Sequence, residues 1–516
     1  MELIKKNIHM DRIRAEAVSQ FTLEDDMNIP ESKPDVSSLN LEKGNVIIEE
    51  IKPGTDMVMV KGMFNFSILY HTNEEGSSLV GLDGRIPFEE KINMQGVSAS
   101  DNVDVTGDTE DLTVELINSR KLSIQLIITL NAQIEEVYDE EAPIGIAGAE
   151  SVEYRKVPVT LAAIAICKND IFRIKEEVTL PASYPNIFQI LWNNISLGDV
   201  EFKAMEEKLT VQGDVHLFIL YEGEGEEHPI RSFETTLPFS GVLDCHGCRE
   251  GMLPDIGYRM GQQDITVRPD FDGEERTVGI ELVLDIAIHV YEEEETEIIS
   301  DIYGVSKEVN TVTSKAYLRR LLSKVTGKTK ITDHIKAEAG SAGILQLLHS
   351  EGKISLERTQ AVENGILLQG SLMVRVMYIT GDDNSPYAGM KAVIPYEYTL
   401  EVPEITEKDL GKVRGDVEQL QVTMLDGEEV DVKAIISFNT TVFRNIPTEL
   451  IKEVQVTELD MSKQGSLPGM VIYVVKDGDN LWNIGKKYYV PVDKLRRVNN
   501  LESDELKKGQ KLLVVK

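Results

Sequence analysis

The chain has 516 residues, 41% of them hydrophobic and 27% charged, a composition that belongs to folded globular protein and excludes wholesale disorder. At roughly 100–200 residues per domain it holds several domains, since one core stops growing near about 250–300 residues. Its 88 acidic residues outnumber 53 basic ones for a formal charge of -35. A surface that acidic repels phosphate backbones and anionic lipid, which excludes general nucleic-acid binding. No apolar run approaches the ~18 residues of a transmembrane helix; the longest useful one is residues 161–167. Nothing apolar follows the opening Met1-Glu2-Leu3-Ile4-Lys5-Lys6, so no secretory signal is expected. Three cysteines cannot build a disulfide framework, and a reducing, cytoplasmic setting is expected.

From the N-terminus onward, one long-period repeat organises the chain. Ile29-Pro30 and Pro34-Asp35-Val36 open the first unit, and Gly62 leads an alternating run through Phe64, Phe66 and Ile68 to Tyr70. Pro87-Phe88 follows. At an offset of 151 the same landmarks return as Leu180-Pro181, Pro185-Asn186-Ile187, Gly213, Val215, Leu217, Ile219, Tyr221 and Pro238-Phe239. At a further 157 they return as Gly370, Leu372, Val374, Val376, Tyr378 and Pro395-Tyr396. Alternation with period two predicts a strand with one buried face, and the glycine marks a close backbone approach. Asp272-Gly273 and Asp426-Gly427, each between apolar runs, predict hairpins late in the second and third units.

The expected architecture is mainly β with some α: three homologous β-rich repeats in tandem, with helix mainly near their starts, and a small βααβ domain after them. The expected boundaries are 1–150, 151–307 and 308–463 for the repeats, 464–469 for a linker and 470–516 for the last domain. Residues 139–143 and 292–297 also read as linkers. Residues 470–516 contain ten Lys or Arg against six Asp or Glu. This basic tail on an acidic body can steer a partner, or it can rest on its own repeats.

Catalytic and metal constellations are sparse, and no enzyme activity, metal or cofactor is expected. Cys245-His246-Gly247-Cys248 lacks a second ligand pair and reads as a loop thiol pair. Gly327-Lys328-Thr329 has Leu322 where a phosphate loop needs its first glycine. The acidic runs at 222–227 and 292–296 read as solvated loops.

The tail itself is patterned. Val474 lies in a short strand, Gly478 permits a turn, and Asp479 or Asn480 caps a helix carrying Leu481, Ile484 and Tyr488 at helical spacing. Pro491 breaks the chain, Leu495 anchors a second helix, and Gly509-Gln510 turns into a closing strand. On the Gly-Asp-x-Leu-x-x-Ile element, the downstream Asn500 and the Gly-Gln-x-Leu end, residues 472–515 resemble a LysM domain. The resemblance implies a groove for N-acetylglucosamine glycans, with Gly478, Asp479, Asn480 and Leu481 facing Asn500, Leu501 and Glu502. Asn480 stands where the family has threonine. Trp482 is open between an exposed contact and a partly buried anchor.

The repeats are similar to SPOCS domains, and three of them ahead of one LysM domain resemble the SipL-like spore-coat morphogenetic proteins of endospore-forming anaerobes. The third repeat departs from the first by having Ser341-Ala342-Gly343 at the place of Lys33-Pro34-Asp35. The resemblance implies a non-enzymatic adaptor in the mother-cell cytoplasm, on the forespore surface. Its LysM domain would bind the coat-basement morphogenetic ATPase, stage IV sporulation protein A, and its repeats would meet other coat proteins. For a protein partner, Trp482, Lys486 and the rims at Asn480 and Asn500 are the expected contacts. The alternative is a cell-wall protein that binds peptidoglycan glycan.

Overall fold

The computed structural model describes residues 2–72, 79–148, 152–225, 228–337, 343–382, 386–458 and 469–515. Residues 464–468 of the expected linker at 464–469, Ser341-Ala342 and the end of the acidic run at Glu226-Glu227 lie outside the described residues.

Three six-stranded units follow one another. The first comprises β1 (Glu2–Asn28), β2 (Ser38–Pro53), β3 (Met57–His71), β4 (Leu79–Asn93), β5 (Asp104–Asn118) and β6 (Lys121–Ala147). Its strands form two sheets, β1-β6-β5 and the meander β2-β3-β4. The second unit repeats this with β7 (Val152–Thr179), β8 (Ile187–Met205), β9 (Lys208–Gly223), β10 (Ile230–Asp244), β11 (Leu253–Pro269) and β12 (Glu275–Gly304). The third has β13 (Lys307–Lys336), β14 (Ile344–Val362), β15 (Gly365–Thr380), β16 (Tyr387–Glu401), β17 (Val413–Met424) and β18 (Glu429–Glu458). In each unit the two antiparallel sheets face each other over one apolar core. Both expected hairpins are present, β11–β12 around Asp272-Gly273 and β17–β18 around Asp426-Gly427.

The repeated sequence landmarks have one structural cause. Phe64, Phe66, Ile68 and Tyr70, with their counterparts on β9 and β15, all sit on the buried face. Gly62, Gly213 and Gly370 lie directly across the ladder from Phe88, Phe239 and Tyr396. A Cβ on Gly62 would come within 2.5 Å of the Phe88 ring, and one on Gly370 within 2.6 Å of the Tyr396 hydroxyl. The aromatic ring therefore fills the space that the glycine leaves. Tyr70 donates its hydroxyl to the carbonyl of Pro34 at 2.9 Å, and Tyr221 does the same to Pro185 at 3.3 Å. That bond ties the end of the central strand to the entry turn.

Among the described residues, no helix stands near the start of any unit, where one was expected. β1, β7 and β13 are strands of 27, 28 and 30 residues, and the only helical turn among the described residues of the three units is the three-residue 3₁₀ turn Glu407–Asp409. Each of these strands carries a mid-strand bulge, at Arg14, Ala165 and Leu322, spaced by the repeat offsets. A bulge adds one residue and flips the following alternation, which breaks the period-two pattern by which a strand is read.

The expected linkers at 139–143 and 292–297 are likewise strand, inside β6 and β12. Pro143 is buried beside a register shift, opposite Lys5, the kind of irregularity where a strand accommodates proline. In the acidic run, Glu292 pairs with Arg249 at 2.7 Å and Glu294 with Lys6 at 2.6 Å, while Glu293 and Glu295 point to solvent. Glu222 is also not solvated: it is buried and accepts a hydrogen bond from Gln189.

The extended ends of the long strands bring the units together. Ile8, Met10 and Ala142 of the first meet Leu161 and Ile298 of the second and Ala316, Leu318 and Leu450 of the third. A second junction joins the meander sheets around Leu69, Leu220 and Met377, which are equivalent positions of the repeat.

Candidate functional site: the LysM domain and its seat

The last domain is strand, helix, helix, strand: β19 (Met470–Val474), α1 (Leu481–Tyr488), α2 (Val492–Val498) and β20 (Lys511–Val515), with β19 and β20 antiparallel. Asn480 caps α1, its side chain accepting the Asn483 backbone N–H at 2.8 Å. Asn480 therefore meets the capping need at the position where the family has threonine. Asp479 accepts from the Lys476 N–H at 2.8 Å and from the Tyr473 hydroxyl at 2.7 Å, which hold its carboxyl below the ordinary range. Gly478 has φ +82°, a conformation other residues adopt only with strain. The Asn499 side chain clamps α2 to β20, donating to the Leu495 and Leu513 carbonyls and accepting the Leu513 N–H.

The structure brings the two expected groove loops onto one core. Leu481 is buried in it and Leu501 packs against it. Around them Gly478, Asn500 and Glu502 are exposed, and Asp479 and Asn480 are half-buried.

Trp482 and Lys486 are placed differently. Of the two roles open to Trp482, the structure gives the buried one. Its indole N–H donates to Asp301 Oδ2 at 2.8 Å, and Lys486 Nζ reaches Oδ1 of the same carboxylate at 2.6 Å. Asp301 belongs to the end of β12, in the second unit. Burial pushes its carboxyl up, but Lys486 and Trp482 outweigh that and hold it below its ordinary value. Tyr303 packs edge-on against Trp482, with ring centroids 4.8 Å apart, and donates its hydroxyl to the Val490 carbonyl at 2.9 Å. Gly485 makes that approach possible, since a Cβ there would lie 2.7 Å from the Tyr303 hydroxyl. Arg155, across the ladder from Asp301, places its guanidinium 5.6 Å from the Trp482 ring centre. Glu153 accepts the Val492 N–H, and its carboxyl is raised by burial and by nearby Asp493. The basic tail thus rests on its own acidic repeats.

Sequence reasoning missed Glu153, Arg155, Asp301 and Tyr303, because nothing local marks a strand end as a seat for a domain far along the chain. The remaining motifs lie within the repeat units. Cys245 and Cys248 are buried in the core of the second unit, where burial and the neighbouring thiol push Cys245 up to about 11. Gly327-Lys328-Thr329 lies within β13, in ladder with β18. Among the described residues no helix is long and apolar enough to cross a membrane.

Comparison with known proteins finds two kinds of domain in the chain. The family described as SipL, SPOCS domain matches residues 35–117, 186–268 and 343–425, the third repeat included, and the LysM domain family matches residues 473–515. Two relatives from Bacillus subtilis strain 168 resemble a short stretch of the chain. Probable peptidoglycan endopeptidase LytE is 50% identical over 40 residues, 8% of this chain and 12% of its own length. Uncharacterized protein YkzQ is 44% identical over 39 residues, 8% of this chain and 52% of its own length. The chain therefore spans about an eighth and about half of these relatives. SPOCS and LysM domains are binding and scaffold modules, and the SPOCS family is related to the spore coat. On these matches the chain carries three SipL SPOCS domains in tandem followed by one LysM domain.

Proposed function

We propose that the protein is a non-enzymatic scaffold of spore-coat assembly. It works in the mother-cell cytoplasm at the forespore surface, and its LysM domain binds the coat-basement morphogenetic ATPase, stage IV sporulation protein A. The observation that carries this reading is how the LysM domain is held. Trp482, Gly485, Lys486 and Val490 are taken up by the seat on the second unit, while Gly478, Asn500 and Glu502 stay exposed. A seated domain with an uncovered groove presents one binding element in a fixed orientation. That lowers the ordering cost of capture. The partner then meets the rims at Asn480, Asn500 and Glu502, and the three repeats add weak contacts to other coat proteins at high effective concentration.

A second reading is peptidoglycan binding, favoured by the similarity to a protein named as a peptidoglycan endopeptidase. The two are separated by presenting the full chain, a chain lacking 470–516, and an N500A/E502K variant to the immobilised ATPase and to purified peptidoglycan. Capture by the ATPase that is lost in the latter two supports the scaffold. Capture by peptidoglycan alone replaces it with the glycan reading.

A further inference from the structure

Cys167 on β7 and His289 on β12 are direct cross-strand partners. Their side chains therefore leave the sheet on one face, with a backbone ladder fixing their separation. Glu135, from β6 of the first unit, closes on the same point, its Oε2 2.7 Å from His289 Nε2. One sulfur, one nitrogen and one oxygen donor thus lie within 4.8 Å of one another. The Glu135 and His289 side chains are 25% and 17% exposed, whereas Cys167 opens to solvent.

We propose that Glu135, Cys167 and His289 form a divalent-metal site, selective for zinc, that ties the first unit to the second and leaves one coordination position for water. A tetrahedral zinc ion takes sulfur at about 2.3 Å and nitrogen or oxygen at about 2.0–2.2 Å, which sets donor atoms roughly 3.3–3.8 Å apart. The present spacing reaches that with small side-chain rotations, the His289–Glu135 contact opening and the sulfur closing in. The donor set chooses the ion. Thiolate and imidazole favour zinc among common divalent cations, and a single carboxylate gives magnesium or calcium too few oxygens. Two ligands sit on paired strands and the third on a strand packed against them, so the cost of ordering the site is met by the fold itself. Binding releases the thiol and imidazolium protons and leaves both ligands coordinated. The site has no counterpart in the other units, because the remaining cysteines are Cys245 and Cys248.

The test uses the full chain, reduced, titrated with Co²⁺ as the spectroscopic stand-in for zinc. The expected result is one equivalent bound, with a thiolate-to-cobalt charge-transfer band that Zn²⁺ bleaches. The band should survive C245S/C248S and vanish in C167S, an exposed position whose replacement leaves the fold intact by circular dichroism. E135Q should weaken binding by about tenfold or more. A band that persists in C167S, a band that disappears only in C245S/C248S, or no band in excess Co²⁺ overturns the proposal.

Discussion

Trp482 donates its indole N–H to Asp301 across 2.8 Å, joining the last domain to a strand end 181 residues earlier in the chain. The same carboxylate holds Lys486, so Asp301 is the pivot of the seat. Replacing it with alanine removes both bonds and leaves the indole N–H unpaired, at a cost of about 1.5–3 kcal/mol to docking. Lys486 is nearly half exposed, so solvent screening keeps its share small and the indole bond supplies most of the loss. In a W192F background, which leaves Trp482 as the only tryptophan, D301A should shift the emission to longer wavelength. Unchanged emission would show that Tyr303 and Arg155 alone hold the domain.

Acid should act through the same carboxylate. Asp301 is held below its ordinary value in the folded chain, so its contribution is fully present above the unfolded pKa of about 3.9 and is lost as the pH falls through the depressed folded value. Docking should therefore be flat from neutral pH down to about 4 and open only below that. Glu153, whose carboxyl is raised, neutralises earlier and relieves its repulsion from Asp493, which works slightly in the opposite direction. A fluorescence titration of W192F with and without D301N checks this. A transition that is the same in both would place the acid sensitivity elsewhere.

The glycine that leads each repeat gives a graded test of packing. The space for a Cβ differs: 2.0 Å to the Ser355 carbonyl at Gly370, 2.4 Å to the Ile47 carbonyl at Gly62, and 3.0 Å to the Gly198 carbonyl at Gly213. Alanine should destabilise in that order, by about 1–3 kcal/mol at the first two and least at Gly213, where a shift of a few tenths of an ångström suffices. Denaturant midpoints of G370A, G62A and G213A measure it. Equal losses at all three would mean that backbone entropy rather than collision sets the cost.

What was legible in the sequence follows the same division between local and distant causes. Gly62, Tyr70 and Pro87-Phe88 could be read because each repeat solves the same packing problem with residues at fixed spacing. The LysM loops could be read because capping and turn chemistry are local, as at Asn480 and Gly478. The long strand ends were not legible. Pro143 and the run at 292–297 carry linker composition, and only their partners make them strand: Lys5 and its neighbours on β1, and Arg249 and Lys6. The bulges at Arg14, Ala165 and Leu322 interrupt the alternation by which a strand is read. The seat at Asp301 depends wholly on a contact across 181 residues.

The junction of the long strands offers a sharper test of how the units are joined. Asp11 of the first unit is buried, accepts from Arg319 of the third, and accepts the Tyr291 hydroxyl of the second at 3.2 Å. One carboxylate thus touches all three units. Burial pushes the Arg319 guanidinium down, but the bond to Asp11 outweighs it and keeps it above its ordinary value. A buried pair of this kind adds little over an apolar replacement, yet breaking it leaves a charge stranded. R319M should therefore cost about 3–5 kcal/mol, because it strips the buried Asp11 side chain of its guanidinium partner. D11N/R319M should recover much of that loss, since no unpaired charge remains. Thermal unfolding of the two variants decides the matter: a double variant no more stable than R319M would mean that the side-chain packing of Arg319 over the Phe443 ring, 5.3 Å from its centre, matters more than the charge.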